Sequence, residues 1–141
     1  MVLLNESVRA EVQKRLKGLV NPVKIVNFTQ EIECQFCAET RRLMEEIAAL
    51  SGKLSFEVYD FVTDKDQARK YHVDKIPATV IVGDKDYGVR FYGIPSGYEF
   101  GTVIEAIVMV SKRESGLAAA TKKKLATLTK PLHLEVFVTP T

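Results

Sequence analysis

The only two cysteines of this chain, Cys34 and Cys37, lie three positions apart, where a predicted strand is followed by a predicted helix. Residues 23–28 are rich in β-branched and aromatic side chains, which favour a strand. From Cys37 to Leu50 the apolar residues recur at helical spacing. The sequence therefore predicts a strand, a short polar loop and a helix whose N-terminus carries a Cys-x-x-Cys motif.

This placement of a cysteine pair is typical of a dithiol redox centre. Backbone N–H groups and the helix dipole at a helix N-terminus stabilise a negatively charged sulfur, which is the form that attacks disulfides. We expect Cys34 to be exposed and Cys37, one helical turn further in, to be largely buried. Glu31 and Glu33 would oppose a very low thiolate pKa and so predict a moderate reductant. Alternatively, both carboxylates are solvated loop charges.

Composition and charge exclude several classes of function. Twenty basic residues against 18 acidic ones leave a net charge of +2, which indicates neither nucleic-acid binding nor attraction to an anionic membrane. No apolar run approaches the roughly 18 to 20 residues of a membrane span, and residues 1–9 show no signal-peptide pattern. We therefore expect a cytoplasmic protein, and no motif indicates a cofactor. In that compartment a close cysteine pair is more often catalytic or metal-binding than structural.

The other segments complete an α/β pattern. An amphipathic helix is predicted over residues 6–19, before the first strand. Beyond the Cys-x-x-Cys helix, the predicted elements are strand 54–60, a helix capped by Thr63 or Asp64, strand 78–82, hairpin strand 87–92 and a helix with a capping box from Ser96 to Glu99. Parallel first strands and an antiparallel hairpin make a four-stranded mixed sheet flanked by helices. Residues 1–114 are thus predicted to form one thioredoxin-like domain with an extra N-terminal helix.

Residues 115–141 are predicted to form a helix and a strand. The helix covers 117–128 and the strand 132–138, with Pro131 between them. Pro131 follows Pro22 by 109 residues, and each of these prolines precedes a predicted strand. We interpret the extension as the beginning of a second thioredoxin-like unit. By itself, its strand is expected to pair across a homodimer or to fold back on its own sheet.

The sequence also resembles a known family, the glutaredoxin-like protein disulfide oxidoreductases of hyperthermophilic archaea and bacteria. Members of that family contain two tandem thioredoxin-fold units with a Cys-x-x-Cys motif in each. The stretches that carry the resemblance span almost the whole chain. They are residues 21–24, 34–37, 76–79, 88–100 and 136–141. The stretch 88–100 is the most specific of them. The chain aligns with the first unit and the first strand of the second, and it has a single Cys-x-x-Cys motif.

The resemblance implies a protein disulfide oxidoreductase. By this resemblance, Cys34 is the attacking cysteine, Cys37 the resolving cysteine and Pro77 a cis-proline that faces them. A cis bond there would present the backbone of Ile76 to an extended substrate, and Phe36 would add an apolar lip beside the exposed sulfur. The implied partners are protein or small-molecule disulfides and thiols, with an electron-donating reductase or thiol. The alternative for Pro77 is an ordinary trans-proline at a strand start.

Other interpretations stay open from the residues alone. One alternative is a redox-inert thioredoxin-fold module for binding or assembly. The other is a metal site in which Cys-x-x-Cys motifs from two chains together bind one metal ion. Asp60, at the end of a predicted strand, is either a strand-end residue or a proton acceptor for Cys37. The residues favour thiol–disulfide exchange, with no metal site in the chain.

Overall fold

β1 (Val23–Thr29) is the strand around which the rest of the chain folds. The computed structural model describes residues 3–139, so the last two residues of the stretch 136–141 lie outside the described part. One sheet has the strand order β2-β1-β3-β4, in which the added strands are β2 (Leu54–Asp60), β3 (Ala78–Val82) and β4 (Asp86–Tyr92). β1 is parallel to β2 and antiparallel to β3, which pairs antiparallel with β4. The predicted four-stranded mixed sheet is confirmed.

Helices flank the sheet, and further helices lie near both ends of the chain. Among the described residues they are α1 (Glu6–Leu16), α2 (Cys37–Ala48), α3 (Lys65–Lys70), α4 (Tyr98–Lys112) and α5 (Ala119–Leu125). α1 is the predicted N-terminal helix, and α2 is the helix that carries the Cys-x-x-Cys motif. None of these helices is long and apolar enough to cross a bilayer.

The two faces of the sheet bury two hydrophobic clusters. On one face, Ile25 and Ile81 pack with buried residues of α1, α2 and α4. On the other face, Val26 and Phe28 pack with Tyr71, which follows α3. Successive side chains of a strand point to opposite faces, so β1 contributes to both clusters. This double burial explains why the β1 sequence is a nearly continuous apolar run.

Ser111 fixes the end of α4 to the segment that enters β1. Its Oγ accepts hydrogen bonds from the N–H groups of Val20 (2.9 Å) and Asn21 (3.1 Å) and donates to the Asn21 carbonyl (2.7 Å). The Asn21 side chain donates in return to the Ser111 carbonyl at 2.8 Å. Ser111 is fully buried, and these bonds satisfy its hydroxyl inside the core. They lie at the start of β1, away from the loop that leads to Cys34.

Two helix starts differ from the predicted caps. α4 begins at Tyr98 with Gly97 as its N-cap, so the predicted capping box at Ser96 does not start the helix. Gly97 has a φ of 59°, a left-handed conformation that glycine adopts without a Cβ clash. Asp64 is the N-cap of α3, but its carboxylate accepts the N–H of Asp60 at 2.8 Å and caps no helix N–H.

The predicted C-terminal strand does not form. α5 confirms a helix within the predicted range 117–128, although it is shorter and buries none of its side chains. Residues 131–139 adopt neither helix nor strand, so the predictions of a strand over 132–138 and of its folding back on the sheet were wrong for the chain by itself. A strand is held by hydrogen bonds to a neighbouring strand, and no strand among the described residues pairs with residues 132–138. The most exposed apolar side chains of the segment are Leu134, Val136 and Phe137, at 85%, 85% and 89%.

Two glycines give opposite expectations for stability. Gly101 lies within α4, where an added Cβ meets no atom within 4 Å. Gly101→Ala should raise the free energy of unfolding by about 0.5–1 kcal/mol, because glycine loses more backbone entropy in a helix than alanine does.

Gly83 follows β3, and a Cβ there would lie 2.8 Å from Val110 Cγ1. Gly83→Ala should therefore lower the free energy of unfolding by about 1–3 kcal/mol. Urea denaturation measures both changes, and a less stable Gly101→Ala variant would mean that α4 has no room for a Cβ at this position.

Candidate active site

The end of the sheet at which β1 stops brings the predicted site residues together. Because β3 runs opposite to β1, the start of β3 lies beside the end of β1. Phe28 is opposite Ala78 in the register, and Ala78 is opposite Tyr92. The loop that leads to Cys34 leaves β1 here, and Pro77 leads into β3 here. We call this the active-site end of the sheet.

Cys34 and Cys37 form a disulfide at the start of α2. Their Cα atoms are 5.5 Å apart. Cys34 precedes the helix and is half-buried, whereas Cys37 is the first helical residue and only 1% exposed. The structure therefore has the expected contrast between an accessible and a buried sulfur, although Cys34 is less open than predicted.

The helical period of α2 explains why Cys37 is buried. The side chains of α2 that face the sheet recur every three or four residues, as on any amphipathic helix. They are Cys37, Thr40, Leu43, Met44, Ile47 and Ala48. Cys34 lies before this stripe and outside the helix. The same three-residue spacing thus lets the sulfurs bond and directs one of them into the core.

The N-terminus of α2 has no side-chain cap. Its N-cap residue is Phe36, whose side chain has no acceptor. The Phe36 carbonyl accepts the N–H of Thr40 at 3.0 Å and its hydroxyl at 2.7 Å. Backbone N–H groups of a first helical turn favour a nearby negative charge. The helix N-terminus that follows Cys34 therefore favours a negatively charged sulfur once the disulfide is reduced.

Apolar surface and an unusual backbone conformation flank Cys34. Ile32 is 73% exposed and Phe36 is 42% exposed. Glu33 has a φ of 58°, in the left-handed region that residues other than glycine seldom adopt. Glu31 and Glu33 are both exposed, which agrees with the interpretation that they are solvated loop charges.

The Ile76–Pro77 peptide bond is cis, as the resemblance implied. The N–H of Gly93 donates to the Pro77 carbonyl at 2.9 Å and so joins this segment to the chain that follows β4. The side chain of Ile76 packs, partly buried, against the cluster on the α3 side of the sheet. Among the residues that the structure describes, neither the N–H nor the C=O of Ile76 makes a backbone hydrogen bond.

Asp60 closes the turn that follows β2. Its Oδ1 accepts hydrogen bonds from the N–H groups of Thr63 at 2.9 Å and Val62 at 2.8 Å. These two bonds, led by that of Thr63, hold the pKa of Asp60 below its ordinary value. The carboxylate is engaged in this turn, which agrees with the interpretation of Asp60 as a strand-end residue, and its role as a proton acceptor for Cys37 stays a prediction.

A buried polar pair on the α2 side of the sheet was missed by sequence reasoning. Asn27 of β1 and Thr79 of β3 are fully buried and directly opposite each other. The signal in the sequence was a single asparagine within the apolar run of β1. A side chain of this kind inside a core requires hydrogen-bond partners.

The described part of the chain offers no ligand set for a metal ion. Between residues 3 and 139, no group of three or more His, Cys, Asp or Glu side chains could hold one. The disulfide also engages both cysteines.

Comparisons with known proteins agree with this geometry. A family model described as a thioredoxin domain matches residues 22–105. A protein disulfide oxidoreductase from Aeropyrum pernix superimposes with a TM-score of 0.81 and 32% identity, over 91% of this chain and 56% of that one. The NTD_N/C domain of an alkylhydroperoxide reductase from Enterococcus faecalis gives a TM-score of 0.79 and 25% identity, over 90% and 62%. The chain thus spans less than two thirds of the length of either structure.

A thioredoxin from Fasciola hepatica shares the fold, with a TM-score of 0.53 and 24% identity over 72% of this chain and 92% of that one. Comparison with curated protein sequences gave no match. The thioredoxin-domain match covers more than half of the chain, and the predicted resemblance to protein disulfide oxidoreductases is confirmed. The family match, the sheet order and the disulfide at the start of α2 lead to the same conclusion: the chain belongs to the thioredoxin-domain family.

Proposed function

We propose that the chain exchanges thiols and disulfides of polypeptide substrates at Cys34 and Cys37. The observation that carries the proposal is their disulfide at the start of α2, with one accessible and one buried sulfur. The similar protein from Aeropyrum pernix is a protein disulfide oxidoreductase, which supports the same chemistry here. The two sulfurs carry the electrons, so the reaction needs no bound cofactor. We place it in the cytoplasm.

The exchange starts from the dithiol form. The Cys34 thiolate attacks one sulfur of a substrate disulfide, forms a mixed disulfide and expels the other substrate sulfur as a thiolate. Cys37 then attacks the Sγ of Cys34, which releases the second substrate sulfur and leaves the Cys34–Cys37 disulfide. Two electrons and two protons have then passed from the chain to the substrate. An electron-donating thiol or reductase restores the dithiol by the reverse steps.

The surface around Cys34 supports an extended polypeptide as substrate. Phe36 and Ile32 present apolar side chains to solvent beside the sulfur. Ile76 lies at the same end of the sheet, next to cis-Pro77, and its peptide groups make no backbone hydrogen bond among the described residues. A substrate strand would pair with Ile76 while its side chains contact Phe36. Phe36, Ile76 and Pro77 are therefore the proposed substrate-binding residues.

Reduction of insulin by dithiothreitol tests the activity. The wild-type chain should accelerate precipitation of the insulin B chain over dithiothreitol alone, and Cys34→Ser should remove the acceleration because no thiolate starts the exchange. Cys37→Ser should instead accumulate a mixed disulfide with substrate, seen as a mass increase, because the resolving sulfur is missing. A folded wild-type chain without any acceleration would favour the redox-inert binding or assembly module.

Alkylation tests which cysteine attacks. In the reduced chain at neutral pH, iodoacetamide should modify Cys34 at least about tenfold faster than Cys37, because Cys37 is only 1% exposed. Mass analysis of the two cysteine-containing peptides over time gives both rates. If Cys37 reacted first, the roles assigned to the two cysteines would have to be exchanged.

We further propose that residues 1–114 form one thioredoxin-like domain and that residues 115–141 are the beginning of a second thioredoxin-like unit, which by itself takes part in an assembly contact. No strand among the described residues pairs with residues 132–138, and the large apolar side chains of this segment are exposed. Pairing of residues 132–138 between two chains would supply both the hydrogen bonds and the burial that the segment lacks.

Sedimentation tests this contact. The full chain should sediment near twice its 15.8 kDa, and a variant without residues 131–141 should sediment as a monomer. The variant should retain insulin reduction, because no residue of the proposed site is removed. A monomeric full chain at high micromolar concentration would rule out the homodimer.

A further inference from the structure

Two buried oxygen atoms on the α2 side of the sheet lack a hydrogen-bond partner among the described residues. They are Asn27 Oδ1 and Thr79 Oγ1. Both residues are 0% exposed, and they are directly opposite in the antiparallel register of β1 and β3. Opposite side chains of an antiparallel pair lie on the same face, with Cβ atoms about 4.5–5.5 Å apart. The two oxygens therefore belong to one polar site.

This polar site lies beneath the first turn of α2. Asn27 follows Ile25 by two residues and Thr79 precedes Ile81 by two, so all four face the cluster that α2 covers. α2 begins at the end of β1 and returns antiparallel to it, because β2, which follows α2, is parallel to β1. The first turn of α2 is thus at the level of Asn27, and Cys37 and Thr40 are the buried residues of that turn.

Neighbouring hydrogen bonds leave both oxygens open. Asn27 Nδ2 donates to the Ala78 carbonyl at 3.1 Å, which turns Oδ1 away from that carbonyl. The hydroxyl of Thr40, on the sheet-facing stripe of α2, donates to the Phe36 carbonyl at 2.7 Å and is used within the helix. Buried acceptors without a donor destabilise a protein, and native structures keep few of them.

Reduction of the disulfide creates a donor for this site. In the disulfide, Cys37 Sγ is bonded to Cys34 Sγ and carries no hydrogen. A dithiol that reduces the pair loses two electrons and two protons and becomes a disulfide, while the Cys34–Cys37 bond breaks and each sulfur gains a proton. We propose that Asn27 and Thr79 are positioning residues that accept the S–H hydrogen bond of reduced Cys37, directly or through one water. They stabilise the dithiol relative to the disulfide and so raise the reduction potential.

The inference rests on the exchange function proposed above. The direction of the change in reduction potential follows from which redox form of the chain supplies a donor to the two acceptors. Both oxygens lack a donor in the disulfide form, whereas the S–H group supplies one in the dithiol form. Thr79→Val removes one acceptor with almost no change in shape. It should shift the equilibrium with dithiothreitol about three- to tenfold toward the chain disulfide, which lowers the reduction potential by about 15–30 mV.

The experiment equilibrates the full chain in buffers of reduced and oxidised dithiothreitol and counts free thiols by mass after alkylation. Asn27→Leu should shift the potential in the same direction as Thr79→Val. Ser111→Ala is the matched control, because Ser111 is equally buried and polar but bonds to Asn21 at the start of β1. This control should destabilise both redox forms and leave the reduction potential unchanged.

The outcomes separate the inference from the function on which it rests. An unchanged or higher reduction potential in Thr79→Val overturns the inference, whether or not Asn27→Leu folds. A wild-type disulfide that never equilibrates with dithiothreitol overturns the exchange function itself. Urea denaturation of both redox forms gives a second readout. Compared with the wild-type chain, Thr79→Val should lower the free energy of unfolding of the reduced form relative to that of the oxidised form. Equal changes in the two forms would assign Thr79 a purely structural role.

Discussion

Burial of β1 between two neighbouring strands is the constraint on which the rest of this structure depends. Ile25, Val26 and Phe28 are fully buried, on alternate faces of the sheet. Burying one such side chain contributes about 1.5–3 kcal/mol, so these residues hold β1 at the centre of the sheet. The end of β1 then determines where the following loop and α2 begin. The position of the disulfide is thus a consequence of core packing.

The two sulfurs differ because a helix begins between them. Cys37 lies on the buried stripe of α2, and Cys34 lies in the loop before it. Both belong to one short segment, yet Cys37 is buried between α2 and the sheet, whereas Cys34 is only half-buried. An exchange reaction needs this asymmetry, since the attacking sulfur must meet a partner and the resolving sulfur must stay inaccessible to it.

Sequence reasoning predicted the elements whose side chains have a clear period or a strong local signal. Strands 54–60 and 78–82 have the predicted bounds, and the disulfide pair opens α2 as expected. The prediction was wrong in two places: Gly97, whose φ of 59° suits glycine, caps α4 in place of Ser96, and residues 132–138 form no strand without a neighbour. The Asn27–Thr79 site could not be predicted either. Its two members lie 52 positions apart in the sequence, and only the register of β1 and β3 brings them together.

The pairing of β3 with β1 also controls the alignment of the site. Because Ala78 is opposite Phe28, the packing of β3 in the core sets how far Pro77 lies from the loop of Cys34. A slip by one residue would displace Pro77 by about 3.3 Å and turn the side chains of β3 to the opposite faces. Core substitutions remote from both sulfurs would therefore change the rate of the proposed exchange without touching a substrate. In such a molecule, catalytic efficiency and the tolerance of its interior to mutation are coupled traits.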